Sequence, residues 1–132
     1  MTYEGNKIYP YILAITVIVI FQYLSPGSPF YSQNYLGYLS LQNNRIKHLD
    51  TPDCFEGLHS LKALDLSGNQ LAILRAEIDV FREVPNLEKL DLSNNQISWV
   101  APDVFSPLQS LINLELSSNK LLGSQQNISR IK

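Results

Sequence analysis

At 132 residues the chain has room for one domain and not for two well-packed ones. Its 45% apolar and 17% charged residues exclude a disordered chain, and ten Lys and Arg against twelve Asp and Glu, with no basic run, favour no nucleic-acid partner. Cys54 is the one cysteine, so an intramolecular disulfide of the kind small secreted domains use is excluded.

The chain is apolar from Ile8 to Leu24, and Tyr11–Phe21 holds eleven residues whose only polar member is Thr16. That length suits the apolar region of a secretory signal peptide. The wider run would reach only about 25 Å as a helix, short of a roughly 30 Å hydrocarbon core. Small residues at Ser25-Pro-Gly27 place a cut before Ser28. Residues 1–27 are therefore expected to be a signal peptide, with an uncleaved N-terminal anchor or a buried core element as alternatives. Residues 28–35 would then be a linker that opens the mature chain.

From Leu36 onward the chain aligns with itself. Leu36, Leu39, Leu41, Asn44, Ile46, Leu49, Phe55 and Leu58 recur as Leu61, Leu64, Leu66, Asn69, Leu71, Leu74, Phe81 and Val84. They recur again as Leu87, Leu90, Leu92, Asn95, Ile97, Val100, Phe105 and Leu108, and a last copy opens with Leu111, Leu114, Leu116, Asn119 and Leu121. The periods are 25, 26 and 24 residues, and each copy reads L-x-x-L-x-L-x-x-N-x-[LI]. Repeats are thus expected over 36–121, as 36–60, 61–86, 87–110 and a partial 111–121, followed by a tail, 122–132. Alternation at Leu39/Leu41 and its equivalents is the period of a strand with one buried face. Each coil buries its leucines only against the coils above and below, so the strands stack into a parallel sheet.

Asn44, Asn69, Asn95 and Asn119 fall where each strand ends and its backbone loses sheet partners. An inward amide both donates and accepts, so these four are expected to form a structural ladder. Phe55, Phe81 and Phe105 read as an internal spine on the outer side.

Leu-Asp-Leu-Ser-Gly-Asn (64–69), Leu-Asp-Leu-Ser-Asn-Asn (90–95) and Pro-Asp-Val-Phe (102–105) resemble the typical class of leucine-rich repeats of extracellular receptors, such as Toll-like receptor ectodomains, and of secreted matrix proteins. The resemblance covers residues 36–121. It implies an α/β solenoid, a short horseshoe arc with a parallel β-sheet on the concave face and loops or short helices on the convex face. It also implies a concave sheet, or its edges, that binds a protein or other ligand. Members of this class usually close both ends with cysteine-rich caps, which this sequence lacks. The expectation that follows is a fragment or truncated form, with a small atypical member as the alternative.

The outward positions between the leucines are the expected binding face: Tyr38, Ser40 and Gln42; Lys62 and Asp65; Glu88, Lys89 and Asp91; Asn113 and Glu115. Ser40, Asp65, Asp91 and Glu115 form one column with neighbours about 4.8 Å apart, close enough for carboxylates to repel. The column is either a selected acidic stripe or a solvated face of the family's default residues. Asn94, also outward, is expected to tolerate alanine as a surface residue does. Cys54 reads as a small buried hydrophobe. His48 and His59 have no partners at metal-ligand spacing. Trp99, which shares its place in the repeat with His48 and Ile73, is expected to be a packed edge residue. Asn127-Ile-Ser129 is a possible N-glycosylation site.

No nucleophile, phosphate loop, metal or cofactor motif appears, so the sequence is read as a non-catalytic recognition module without cofactors, secreted or at the cell surface. The expected partner is a protein ligand or co-receptor. Membrane contact would come only through an uncleaved N-terminal segment or a further C-terminal region. A structural matrix or adhesion protein, or a cytosolic repeat scaffold, are the alternatives.

Overall fold

A computed structural model of the chain describes residues Ile12–Ala14, 35–49 and 52–130. Its strands are short: β1 (Ile12–Ala14), β2 (Tyr38–Ser40), β3 (Ala63–Asp65), β4 (Ile73–Leu74), β5 (Lys89–Asp91), β6 (Trp99–Val100) and β7 (Asn113–Glu115). β1-β2-β3-β5-β7 form one five-stranded sheet, parallel throughout, and β4-β6 a second sheet of two strands. The leucine-rich-repeat solenoid with its parallel concave sheet is thus the observed architecture. The register sets Leu39, Leu64, Leu90 and Leu114 in one row, and all four are buried.

The same backbone pattern recurs in each coil because the sequence spacing recurs. Lys62 and Ala63 N–H both donate to Gly37 O, Glu88 and Lys89 to Lys62 O, and Ile112 and Asn113 to Glu88 O, at 2.8 and 3.0 Å each time. At the other end of the strands Leu41 donates to Asp65 O, Leu66 to Asp91 O and Leu92 to Glu115 O, each at 2.8 Å. The chain then leaves the sheet through one residue in the left-handed region: Asn43 (φ 57°), Gly68 (φ 68°), Asn94 (φ 54°) and Ser118 (φ 56°). Glycine and asparagine enter that region at little cost. At Gly68 a second constraint applies, since a Cβ there would collide with the Asn43 side chain.

The core runs unbroken through the stack from Leu36 to Leu116. Phe55 stacks on Phe81 at 6.3 Å between ring centroids, and Phe81 tilts against Phe105 at 5.8 Å, which is the expected spine. Cys54 is buried within it. The convex side is made of turns and a short 3₁₀ segment, Ala76–Ile78.

Both ends of the stack carry pieces that lie outside the repeats. Of the stretch expected to be a leader, Ile12–Ala14 pairs with β2 in the register Ile12↔Tyr38, Leu13↔Leu39, Ala14↔Ser40. The rest of 1–27, and residues 28–34 of the expected linker, lie outside the described residues. At the other end the tail folds as a 3₁₀ helix, Gly123–Arg130. Leu121 and Ile128 pack against the core, and Gln125 Oε1 accepts from the Val100 N–H at 2.8 Å. An amide side chain here stands where another coil's backbone would be. Among the described residues no helix is long and apolar enough to cross a membrane.

A concave face of ordered columns

The asparagine ladder fixes the sheet from its far end. Asn95 Nδ2 donates to the carbonyls of Leu66 and Leu92 at 3.0 Å and of Ser93 at 3.2 Å, while its Oδ1 accepts from the Leu71 N–H at 3.1 Å. Asn69 binds Leu41 O and Leu66 O in the same way, and its Oδ1 accepts from Ile46. Asn119 binds Leu92 O and Leu116 O and accepts from Ile97. Asn44 donates to Leu41 O at 2.9 Å. Leu41 O, Leu66 O and Leu92 O therefore each accept from two successive asparagines, so each rung crosses a coil boundary. Asn44, Asn69 and Asn95 are buried; Asn119, in the last coil, is half-buried.

On this frame the outward side chains stand in columns. The edge column contains Lys62 and Glu88, joined Nζ to Oε1 at 3.1 Å. Beside it run Tyr38, Ala63, Lys89 and Asn113, aligned by register, then Ser40, Asp65, Asp91 and Glu115. Lys62, Lys89, Asn113, Glu115 and Gln42 are exposed, and Tyr38, Asp65, Glu88 and Asp91 are half-buried. Ser40 is a correction to the expected face. It is only 3% exposed, a short side chain with β1 paired on one flank and β3 on the other.

The acidic column is ordered by its own chain. Asp65 Oδ1 accepts from the Ser67 N–H at 2.9 Å and its hydroxyl at 2.6 Å, and Asp91 Oδ1 accepts from Ser93 at the same two distances. Each carboxylate is turned along its own strand and held there, which offsets the repulsion between neighbours. Glu115 makes no such bond among the described residues.

Other charges lie on the convex side. Arg82 bonds Asp53 at 3.0 Å and Glu83 at 3.2 Å, and His59 stands 4.0 Å from Glu83. Among the described residues no three His, Cys, Asp or Glu are grouped to hold a metal ion. The arrangement offers a ridged surface of fixed hydrogen-bonding groups.

Trp99 stands at the edge of the stack. It is 45% exposed, and it lies beside Ile73, 48% exposed, in the parallel pair β4–β6. A residue just after the asparagine turn alternates outward when that segment becomes a strand, and the short run Trp-Val gave no sign of one. Asn127 falls within the C-terminal 3₁₀ helix.

A family model described as "Leucine rich repeat" matches residues 25–71 and 72–121. Human lumican is 39% identical over 89 residues, 67% of this chain and 25% of that protein. Mouse Tsukushi is 42% identical over 88 residues, 66% of this chain and 24% of that protein. Among solved structures, a complex of TLR13 with ssRNA13 matches with a TM-score of 0.69 and 33% identity, over 85% of this chain and 15% of that one. The chain thus spans about a quarter of the curated relatives it matches. Repeat, register and ladder agree with these matches: the chain belongs to the leucine-rich repeat family.

Proposed function

We propose that this chain is a non-catalytic recognition module of a secreted or cell-surface protein, and that its concave sheet meets a protein ligand. The observation that carries the reading is the ordered face itself. Tyr38, Lys89, Asn113 and the Asp65–Asp91–Glu115 column project from a rigid sheet whose opposite face is the core. Such convergence of fixed polar groups and an aromatic on a stiff scaffold supports binding. The resemblance to the extracellular class supports the setting, and with it glycosylation at Asn127.

The TLR13 structure contains an RNA, but the acidic column argues against a phosphate backbone on this face, since three carboxylates would meet like charge. A protein with a basic patch fits better.

The test is an array of purified extracellular domains, probed with the full chain and with the double variant Asp91→Lys/Glu115→Lys. Specific binding to one or more basic domains, lost in the variant, is the expected result. Binding unaffected by the variant, or confined to single-stranded RNA spotted beside the domains, would refute the concave assignment.

A further inference from the structure

Between the asparagine ladder and the convex loops each coil presents a narrow lateral strip: residues 45–49, 70–75, 96–101 and 120–122. The chain has twelve Asp and Glu, and none stands in these four runs, with Asp50 just past the first at the place that Arg75 holds in the second. Four of its ten Lys and Arg do, Arg45, Lys47, Arg75 and Lys120, together with His48. All four are exposed, and among the described residues none forms an ion pair or a side-chain hydrogen bond. Lys62 and Arg82, elsewhere on the surface, are held by Glu88 and by Asp53 and Glu83. The strip therefore carries cations on its first, second and fourth coils and no charge on the third, although the chain as a whole carries −2.

The same strip holds most of the large apolar surface left exposed. Ile73 and Trp99 lie side by side, and Leu122, 76% exposed, follows in the next coil. Beside Ile73 a groove of about 320 Å³ is walled by Leu49, Leu74, Ile78 and Val80, with Arg75 at its margin. Exposed apolar residues gathered into one patch and rimmed by charge mark an interaction surface, in contrast to singly scattered ones.

We propose that this lateral strip is a second binding surface, and that it takes an acidic polypeptide segment bearing large apolar side chains. The charge selects carboxylates, and the groove with its Trp99–Ile73 wall selects aliphatic or aromatic groups. A polysulfated or nucleic-acid chain would satisfy the cations and leave the aliphatic groove wet. This surface is independent of the concave face, so the two assignments stand or fall separately.

Trp99 is the chain's one tryptophan, which makes it a built-in reporter. The full chain is titrated with a fluorescein-labelled peptide alternating Glu with Leu and Phe, followed by anisotropy. An unlabelled copy is followed by Trp99 emission. Comparison arms are a Glu/Ser peptide of equal charge, a Lys/Leu/Phe peptide, heparin and a single-stranded RNA. Expected are saturable binding of the Glu/Leu/Phe peptide with a blue shift of Trp99, and at least about tenfold weaker binding by Arg75→Glu, Ile73→Ser and, separately, Lys47→Glu. The concave variant Asn113→Ala should leave that binding unchanged. Equal binding of the Glu/Ser peptide, binding of heparin or RNA alone, no binding, or a loss seen only in Asn113→Ala would each overturn the proposal.

Discussion

Asn95 satisfies one backbone donor and three backbone acceptors contributed by two coils. Asn95→Ala should therefore cost roughly 1–3 kcal/mol, the penalty for stranding buried polar partners. Asn94, one residue earlier, is exposed and makes no comparable bonds, but its φ of 54° changes the outcome expected from exposure alone. Alanine there meets the left-handed penalty of about 1–2 kcal/mol, whereas Asn94→Gly should be nearly neutral. Denaturant midpoints of the three variants check this order: Asn95→Ala and Asn94→Ala both lowered, Asn94→Gly close to the unsubstituted chain. The inward role of Asn95 was legible because the asparagine recurs with the leucines at a fixed offset. The left-handed backbone at Asn94 was not, since the equivalent positions hold Asn, Gly, Asn and Ser, a set that reads as ordinary polar turn chemistry.

At the scale of elements, the coil-to-coil contact made by the tail is the least regular piece. The tail departs from the repeat after Leu121, so nothing in its spacing foretold that Ile128 would reach the core or that Gln125 would take over a backbone acceptor's place. Gln125→Ala leaves the Val100 N–H without that acceptor and should destabilise the last coil by about 1 kcal/mol. Hydrogen exchange should quicken at Val100 and remain unchanged at Leu64 in the middle of the sheet. Equal protection at Val100 in the variant would show that the tail does not close the stack. The second sheet was equally hidden, because strands of two residues carry no periodicity, and with it went the exposure of Trp99 and Ile73.

At the scale of the whole molecule, repeat stacks are held by intrinsic coil stability and by nearest-neighbour contacts, so both ends matter disproportionately. β1 comes from the stretch whose composition reads as a leader, and composition alone carries no register; only the pairing with β2 reveals a place for it in the sheet, and with it the burial of Ser40. A chain beginning at Ser28 lacks β1 and should melt at lower temperature, with Ser40 newly accessible. Unchanged thermal midpoints for the two chains would show that β1 adds nothing to the stack.

The concave face is also small. Five strands at about 4.8 Å spacing, with about five residues of face each at roughly 3.3 Å, span on the order of 400 Å² in projection, against about 800 Å² per partner in a stable interface. Recognition by this span alone should be weak and, with Asp65, Asp91 and Glu115 on it, sensitive to salt. The most direct measurement is therefore a salt series on the full chain and the strongest ectodomain from the array, with Asp91→Lys/Glu115→Lys in parallel. Weak binding that falls further as salt rises, and is absent in the double variant, is the predicted result. Tight binding that ignores both salt and the two substitutions would contradict the concave sheet as the recognition surface.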